Sequence, residues 1–213
     1  MRTAICVGYI LPDVTNLGPG RRIGLWVRGC TLGCPGCIAP ELALCETRYD
    51  REISDVYREI EALAADHDGI TISGGEPFQQ AGPLALLLSA LRSETTLDIM
   101  VYSGYTLEEI QNGPREKKEL LKQVDILVDG RYERESANRK IWRGSDNQQI
   151  HLLSERVRRY AANTDAEYGH RRPVRLDVGG NGEFHIIGIP DKGFAEKFEE
   201  AMRRKGIILR KNR

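Results

Sequence analysis

Residues 23–37 read IGLWVRGCTLGCPGC, and residues 69–77 read GITISGGEP. In each, a short apolar run rich in β-branched residues ends abruptly in a polar, glycine-bearing loop. Such a run has the length and composition of a buried strand, and the loop starts where the strand stops. The first loop carries Cys30, Cys34 and Cys37. The second carries Gly74, Gly75, Glu76 and Pro77. Two chemistry-bearing loops therefore follow two buried strands.

The segments around them extend the pattern. Residues 54–65 (SDVYREIEALAA) place Val56, Ile60 and Leu63 at helical spacing, with Ser54 positioned as a cap. A helix is expected from Leu84 to Leu91 and a strand from Leu97 to Tyr102. One or two helices broken near Pro114 follow over 107–123, then a strand from Ile126 to Val128. Strands alternating with helices imply right-handed crossovers and a parallel sheet. A chain of 213 residues could close only part of a TIM-type barrel. From about Arg172 the pattern changes. PVRLDV, a Gly-Asn-Gly turn and EFHIIGIP read as a hairpin, and Asp191 then caps a helix to about Lys205. The expected organisation is a core over 1–155, then a basic linker and ββα extension over 156–213.

The five cysteines fall at 6, 30, 34, 37 and 45. A secreted disulfide scaffold would spread an even set along a shorter chain, so crowding here favours a metal or cluster site. Three thiolates spaced C-x3-C-x2-C on one loop can converge on a [4Fe–4S] cluster, leaving one iron without a protein ligand. The competing reading is a structural zinc site or closed cluster completed by Cys6 or Cys45. Zinc sites usually pair two separated C-x2-C hooks, and no second hook is present. Cys6 and Cys45 read as ordinary thiols. The Gly74-Gly75-Glu76-Pro77 loop lets backbone approach a ligand, and Glu76 offers an acceptor for an ammonium group.

Together with Asn16 to Arg21 (NLGPGR), Ser103-Gly104-Tyr105, DILVDGRY and WRGSDNQ over 142–148, these loops resemble the radical S-adenosylmethionine (SAM) superfamily. Within it they are similar to the anaerobic ribonucleotide reductase activating proteins, over roughly 13–153. The resemblance implies an α/β fold, a partial (incomplete) TIM-type barrel of the radical SAM kind with a small C-terminal ββα appendage. It implies that Cys30, Cys34 and Cys37 hold a [4Fe–4S] cluster whose open iron chelates SAM. Gly74, Gly75, Glu76 and Pro77 would then line the methionine end, with Ser103, Asp129 and Ile38 as further SAM contacts. Ile38 stands where the family often has Tyr, so an aromatic adenine stack is not expected. Trp142, Arg143, Ser145 and Asn147 would close over SAM or face a partner. The implied reaction is reductive cleavage of SAM to a 5′-deoxyadenosyl radical that takes hydrogen from a glycine of a partner glycyl radical enzyme. A flavodoxin- or ferredoxin-like reductant is implied. A radical SAM enzyme modifying a peptide or small molecule is the enzymatic alternative, and a zinc or Fe–S binding module the non-enzymatic one.

Other features exclude more than they assign. Lys plus Arg and Asp plus Glu balance at 31 each. The balance is uneven along the chain: 1–155 carries 17 basic and 23 acidic residues (net −6), and 156–213 carries 14 and 8 (net +6). The basic tail lacks the stacking aromatics of single-strand readers, so nucleic-acid binding is not expected. A basic appendage lying on its own acidic body is the plainer reading. No membrane span and no signal peptide are read, and the chain is expected to be cytoplasmic. His151, on an apolar segment, reads as a structural histidine. His67, His170 and His185 have no ligand spacing.

Overall fold

The computed structural model describes residues 3–179, 182 and 184–209. Its centre is a seven-stranded sheet in the order β3-β1-β2-β4-β5-β6-β7. The strands are β1 (Ala4–Val14), β2 (Arg22–Val27), β3 (Asp50–Glu52), β4 (Gly69–Gly74), β5 (Asp98–Tyr102), β6 (Ile126–Asp129) and β7 (Gln149–Leu152). The middle four, β2, β4, β5 and β6, run parallel, as the alternating pattern predicts. Antiparallel strands flank them: β1 and β3 on one side, β7 on the other. The parallel expectation therefore holds for the centre and not for the edges. The described residues form no closed barrel.

Strand alternation divides the sheet into two faces. Ile23, Leu25 and Val27 of β2, Ile70 and Ile72 of β4, Ile99 and Val101 of β5, and Leu127 of β6 all point one way. They meet α1 (Ile53–Ala64), α2 (Ala81–Glu94), α3 (Leu107–Gln111) and α4 (Arg115–Leu121). Pro114 does divide the 107–123 segment into two helices. Ser54 does not cap α1: the helix begins at Ile53, so Ser54 lies in its first turn and Glu52 takes the cap position without a side-chain bond.

Among the described residues, the opposite face is covered by loops, a 3-10 segment and a hairpin rather than by α1–α4. Trp26, Met100, Tyr102, Ile126 and Val128 point there and are covered by Trp142, Val157 and Ile187. Ile187 belongs to a hairpin of β8 (Arg175–Val178) and β9 (Phe184–Ile187), followed by α5 (Phe194–Arg204). The ββα order matches the expected extension. Of the Gly-Asn-Gly turn, Gly182 has the expected positive φ of 82°, while Gly180 and Asn181 lie outside the described residues. The cap of α5 is Gly193, with a φ of 81°, rather than Asp191. Asp191 instead supplies a backbone acceptor to Phe194.

The extension lies on the body, but charge is not its main attachment. Asn16 Nδ2 donates to the carbonyls of Pro173 and Ile187 at 3.1 and 2.8 Å. One Arg175 guanidinium nitrogen, Nη1, donates to the carbonyls of Pro12 and Asp13 at 2.7 and 2.8 Å. The His185 ring lies 4.1 Å from that of Tyr9, which stacks on Trp26. Full burial of a side chain such as Ile187 contributes about 1.5–3 kcal/mol. Exposed ion pairs such as Lys192–Glu135 contribute about 0–1 kcal/mol. Burial and carbonyl hydrogen bonds dominate.

Candidate functional site

All four parallel strands end on the same edge, so their loops converge: 28–37 after β2, 74–77 after β4, 103–105 after β5 and 130–134 after β6. Backbone bonds join the first two. Gly75 N–H donates to the Val27 carbonyl at 2.7 Å, and Glu76 N–H to the Gly29 carbonyl at 2.8 Å. This approach needs glycine. A Cβ on Gly74, whose φ is 104°, would collide with the Val27 carbonyl oxygen, and one on Gly75 with that of Gly29. With the SAM role that the resemblance implies for this loop, Gly75→Ala is expected to push the two loops apart and cut SAM affinity by ~10–100-fold, with the unfolding midpoint changed by only a few degrees. Equilibrium SAM binding beside thermal melts checks this, and unchanged affinity would show the contact to be dispensable.

Glu76 ties the second loop to the third. Its carboxylate is buried, 1 % exposed. Oε1 accepts from Phe78 N–H and Ser103 Oγ–H, each at 2.9 Å, and Oε2 from Gly104 N–H at 2.8 Å. Desolvation pushes its pKa up, partly offset by the Gly104 and Phe78 amides and the Ser103 hydroxyl. The sequence offers Glu76 as an ammonium acceptor; in the structure its oxygens are engaged by the site's own loops. The fourth loop joins through Gly130 N–H, which donates to the Tyr105 carbonyl at 3.3 Å. Asp129 Oδ2 accepts from Leu107 N–H at 2.6 Å and lies 3.0 Å from His151 Nε2. Burial would raise the Asp129 pKa, but the His151 and Leu107 contacts outweigh it and hold it low. His151, on β7, sets its Nε2 against this carboxylate.

Two residues escaped the sequence reading. Gln79 accepts from Thr31 N–H at 3.1 Å and donates to Thr31 Oγ1 and Tyr105 Oη. Gln80 accepts from Cys6 N–H and donates to the carbonyls of Cys6 and Arg28. Both brace the cysteine loop, and their position directly after Pro77 was the available signal.

Cys30, Cys34 and Cys37 are free thiols on one loop. Positive φ at Gly33 (62°) and Gly36 (76°) lets that loop double back between them. Desolvation raises the Cys30 and Cys37 thiols, and the neighbouring thiols act in the same direction. A single tetrahedral zinc ion would draw its sulfurs to about 3.8 Å of one another. Among the described residues, the only three metal-ligating atoms gathered within 4.8 Å belong to Cys6, Cys45 and Asp50, not to this trio. By donor chemistry, three thiolates on one loop fit a cubic cluster, in which each takes its own iron.

Cys6 and Cys45 are not ordinary thiols: they form a disulfide, with Cα atoms 6.1 Å apart. Gly29 and Cys30 N–H donate to the carbonyls of Leu42 and Ala43, which lays the 42–45 strap along the cysteine loop and beside β1. A separation of 39 residues carries no local signal for this pairing. Paired with each other, neither sulfur is gathered with the Cys30, Cys34 and Cys37 thiols.

The remaining predicted residues divide clearly. Ser103 is buried against Glu76, Pro77 is buried, and Ile38 is exposed beside the cysteine loop. Trp142 is core, 5 % exposed. Arg143 donates to the carbonyls of Gln148 and Thr164 and pairs with Asp165. Ser145 Oγ accepts from Glu133 N–H, and Asn147 donates to the Arg131 carbonyl. Gln148 accepts from Gly144 and Ser145 N–H. These groups hold the 130–148 loop in shape. What that loop presents to the site is its start: a Cβ on Gly36 would lie 3.4 Å from Arg134 and 3.6 Å from Tyr132.

A family profile described as a 4Fe-4S single cluster domain matches residues 16–151. The chain is 36 % identical over 153 residues to the anaerobic ribonucleoside-triphosphate reductase-activating protein of Vibrio cholerae serotype O1, covering 68 % of this chain and 96 % of that one. It is 32 % identical over 142 residues to the protein of the same name from Enterobacteria phage T4, covering 65 % and 87 %. For that of Escherichia coli K12 it is 31 % over 152 residues, covering 68 % and 96 %. No helix among the described residues is long and apolar enough to cross a membrane.

Proposed function

The chain belongs to the family of anaerobic ribonucleoside-triphosphate reductase-activating proteins, and on that basis we propose a residue-level account of how it works. It is a radical SAM enzyme with a [4Fe–4S] cluster, and its class of partner is a glycyl radical enzyme. When bound, the cluster and SAM supply a 5′-deoxyadenosyl radical by reductive cleavage, and this takes a hydrogen atom from a glycine of the partner.

In our reading Cys30, Cys34 and Cys37 hold the cluster. Gly74 and Gly75 bring backbone against the amino-acid end of SAM, and Glu76 with Ser103 sets the loops that receive it. Asp129 anchors the fourth loop through Leu107 and His151. Ile38 and Pro77 complete the SAM site, and we read the sheet with its converging loops as an incomplete TIM-type barrel. The partner is an anaerobic ribonucleotide reductase, reduction comes from a flavodoxin- or ferredoxin-like protein, and the compartment is the cytoplasm. The observation that carries this account is the bonding of the cysteine loop to the Gly74–Glu76 loop, which sets three free thiols beside a glycine-lined ligand approach.

The test is anaerobic. The protein is reconstituted with iron and sulfide, reduced, and examined by EPR with and without SAM. A [4Fe–4S]⁺ signal that shifts on adding SAM, with 5′-deoxyadenosine formed and a glycyl doublet on added reductase, is expected. A signal indifferent to SAM would overturn the assignment.

A further inference from the structure

The segment 172–189 stands outside the family match, which ends at 151. The Vibrio cholerae relative aligns over 153 residues, 68 % of this chain. Yet the 172–189 segment is not a loose tail. Ile187 and Ile189 share one apolar cluster with Trp26 and with Ala39 and Leu42, just beyond the cysteine loop. Tyr102, immediately before Ser103, belongs to the same cluster.

Arg172 is the polar counterpart of that packing. It is 7 % exposed and reaches toward the 130–148 loop. Its Nη2, with two hydrogens, sits among the carbonyl of Arg143 at 2.8 Å, Asn138 Oδ1 at 3.0 Å and the Asn138 carbonyl, with the Lys140 carbonyl 3.5 Å away. Nη1 reaches back to the carbonyl of Ile189 at 3.3 Å, and Asp191 lies 3.8 Å from Nε. One guanidinium therefore ties the loop to the end of the hairpin. The same loop, through Tyr132 and Arg134, lies against the Cys34–Cys37 turn, and Arg131 lies beside Gly104.

Building on the proposed function, we propose that Arg172 is a positioning residue: with the 172–189 hairpin it fixes the 138–143 stretch and, through it, the 131–134 start of the same loop that lies against the Cys34–Cys37 turn and Gly104, so that the radical is spent on the partner's glycine and not elsewhere. The physical reason is water exclusion and placement. A loosened loop admits solvent and lets the reacting centre drift, and misplacement of about 1 Å by a remote change can cost ~100-fold in productive reaction.

The first readout needs no cofactor. In a Trp26→Phe background Trp142 is the only tryptophan of the chain's two. Arg172→Met is expected to raise acrylamide quenching of Trp142 and speed hydrogen exchange over 138–148, leaving α1 and α2 on the other face unchanged. The second readout is the ratio of 5′-deoxyadenosine formed to glycyl radical spins on added reductase. It is expected to rise ~10-fold in Arg172→Met, with SAM affinity held within about twofold, and to return partway in Arg172→Lys. His185→Ala, which loosens the hairpin through Tyr9 and leaves Arg172 in place, is the milder second variant and should move both readouts in the same direction. Exchange and quenching unchanged, or an unchanged ratio in well-folded Arg172→Met, overturns the assignment to Arg172. Wild-type protein that forms no 5′-deoxyadenosine would instead overturn the proposed function, while the exchange measurement would still judge the anchoring of the loop.

Discussion

Cys34→Ala is expected to abolish the cluster. Reconstituted protein should hold little iron, show no [4Fe–4S]⁺ signal, and form 5′-deoxyadenosine at least ~100-fold more slowly, because even changes in groups outside the ligand set cost roughly 10–100-fold in metal affinity. Cys30→Ala and Cys37→Ala should behave alike, since the other two sulfurs, Cys6 and Cys45, are gathered with each other and Asp50 and not with the trio. That makes Cys45→Ala the informative control, expected to keep its iron. Iron analysis and EPR on the four variants decide the ligand set. Loss of iron in Cys45→Ala to the same degree as in Cys34→Ala would mean that the closed-site alternative is right.

The second large effect concerns stability. Arg22 is fully buried at the start of β2. Its Nη2 lies 2.6 Å from Asp98 Oδ1, and the guanidinium also donates to Thr71 Oγ1 and to the carbonyls of Pro19 and Ile70 at 2.7–3.0 Å. Thr71 Oγ passes the chain on to the Leu17 carbonyl. Arg22→Met leaves Asp98 charged in the interior, and breaking such a pair from one side costs about 3–5 kcal/mol. For a chain of this size that corresponds to roughly 6–20 °C in melting temperature. Arg22→Met with Asp98→Leu should recover much of the loss, since an apolar pair of similar volume is often neutral. Thermal melts of the cluster-free protein measure both. A single-variant loss below about 1 kcal/mol would show that water, not Arg22, satisfies Asp98.

Local patterns carried the centre of the fold. Ile23–Val27 and Gly69–Ser73 read as strands because fully buried parallel strands are continuous apolar runs. β1 escaped because Ala4–Val14 mixes half-buried residues with a glycine and a proline, and its strand character comes from pairing with β2. β7, four residues long, is likewise a product of its partner. The site was legible to the extent that its chemistry is contiguous: three cysteines in eight residues, then Gly74 to Pro77. The bracing by Gln79 and Gln80, the disulfide and the role of Arg172 all join residues far apart in the chain, where spacing holds no information. WRGSDNQ shows a different limit: the motif was visible, yet most of its polar groups turn inward to hold their own loop.

The sheet's two outer strands have a consequence for how this protein can meet others. β3 is three residues long and wholly charged, Asp50-Arg51-Glu52, and β7 is only four residues long. Edges so short give an incoming chain few backbone groups to pair with, and charge discourages stacking of copies side by side. Strand addition, a common way for a sheet to recruit an extended peptide, has little purchase at β3 or β7, although β1 runs on past β3 beyond Cys6. Recognition of a large partner falls instead to side chains and loop surfaces, where shape rather than backbone register decides who is admitted.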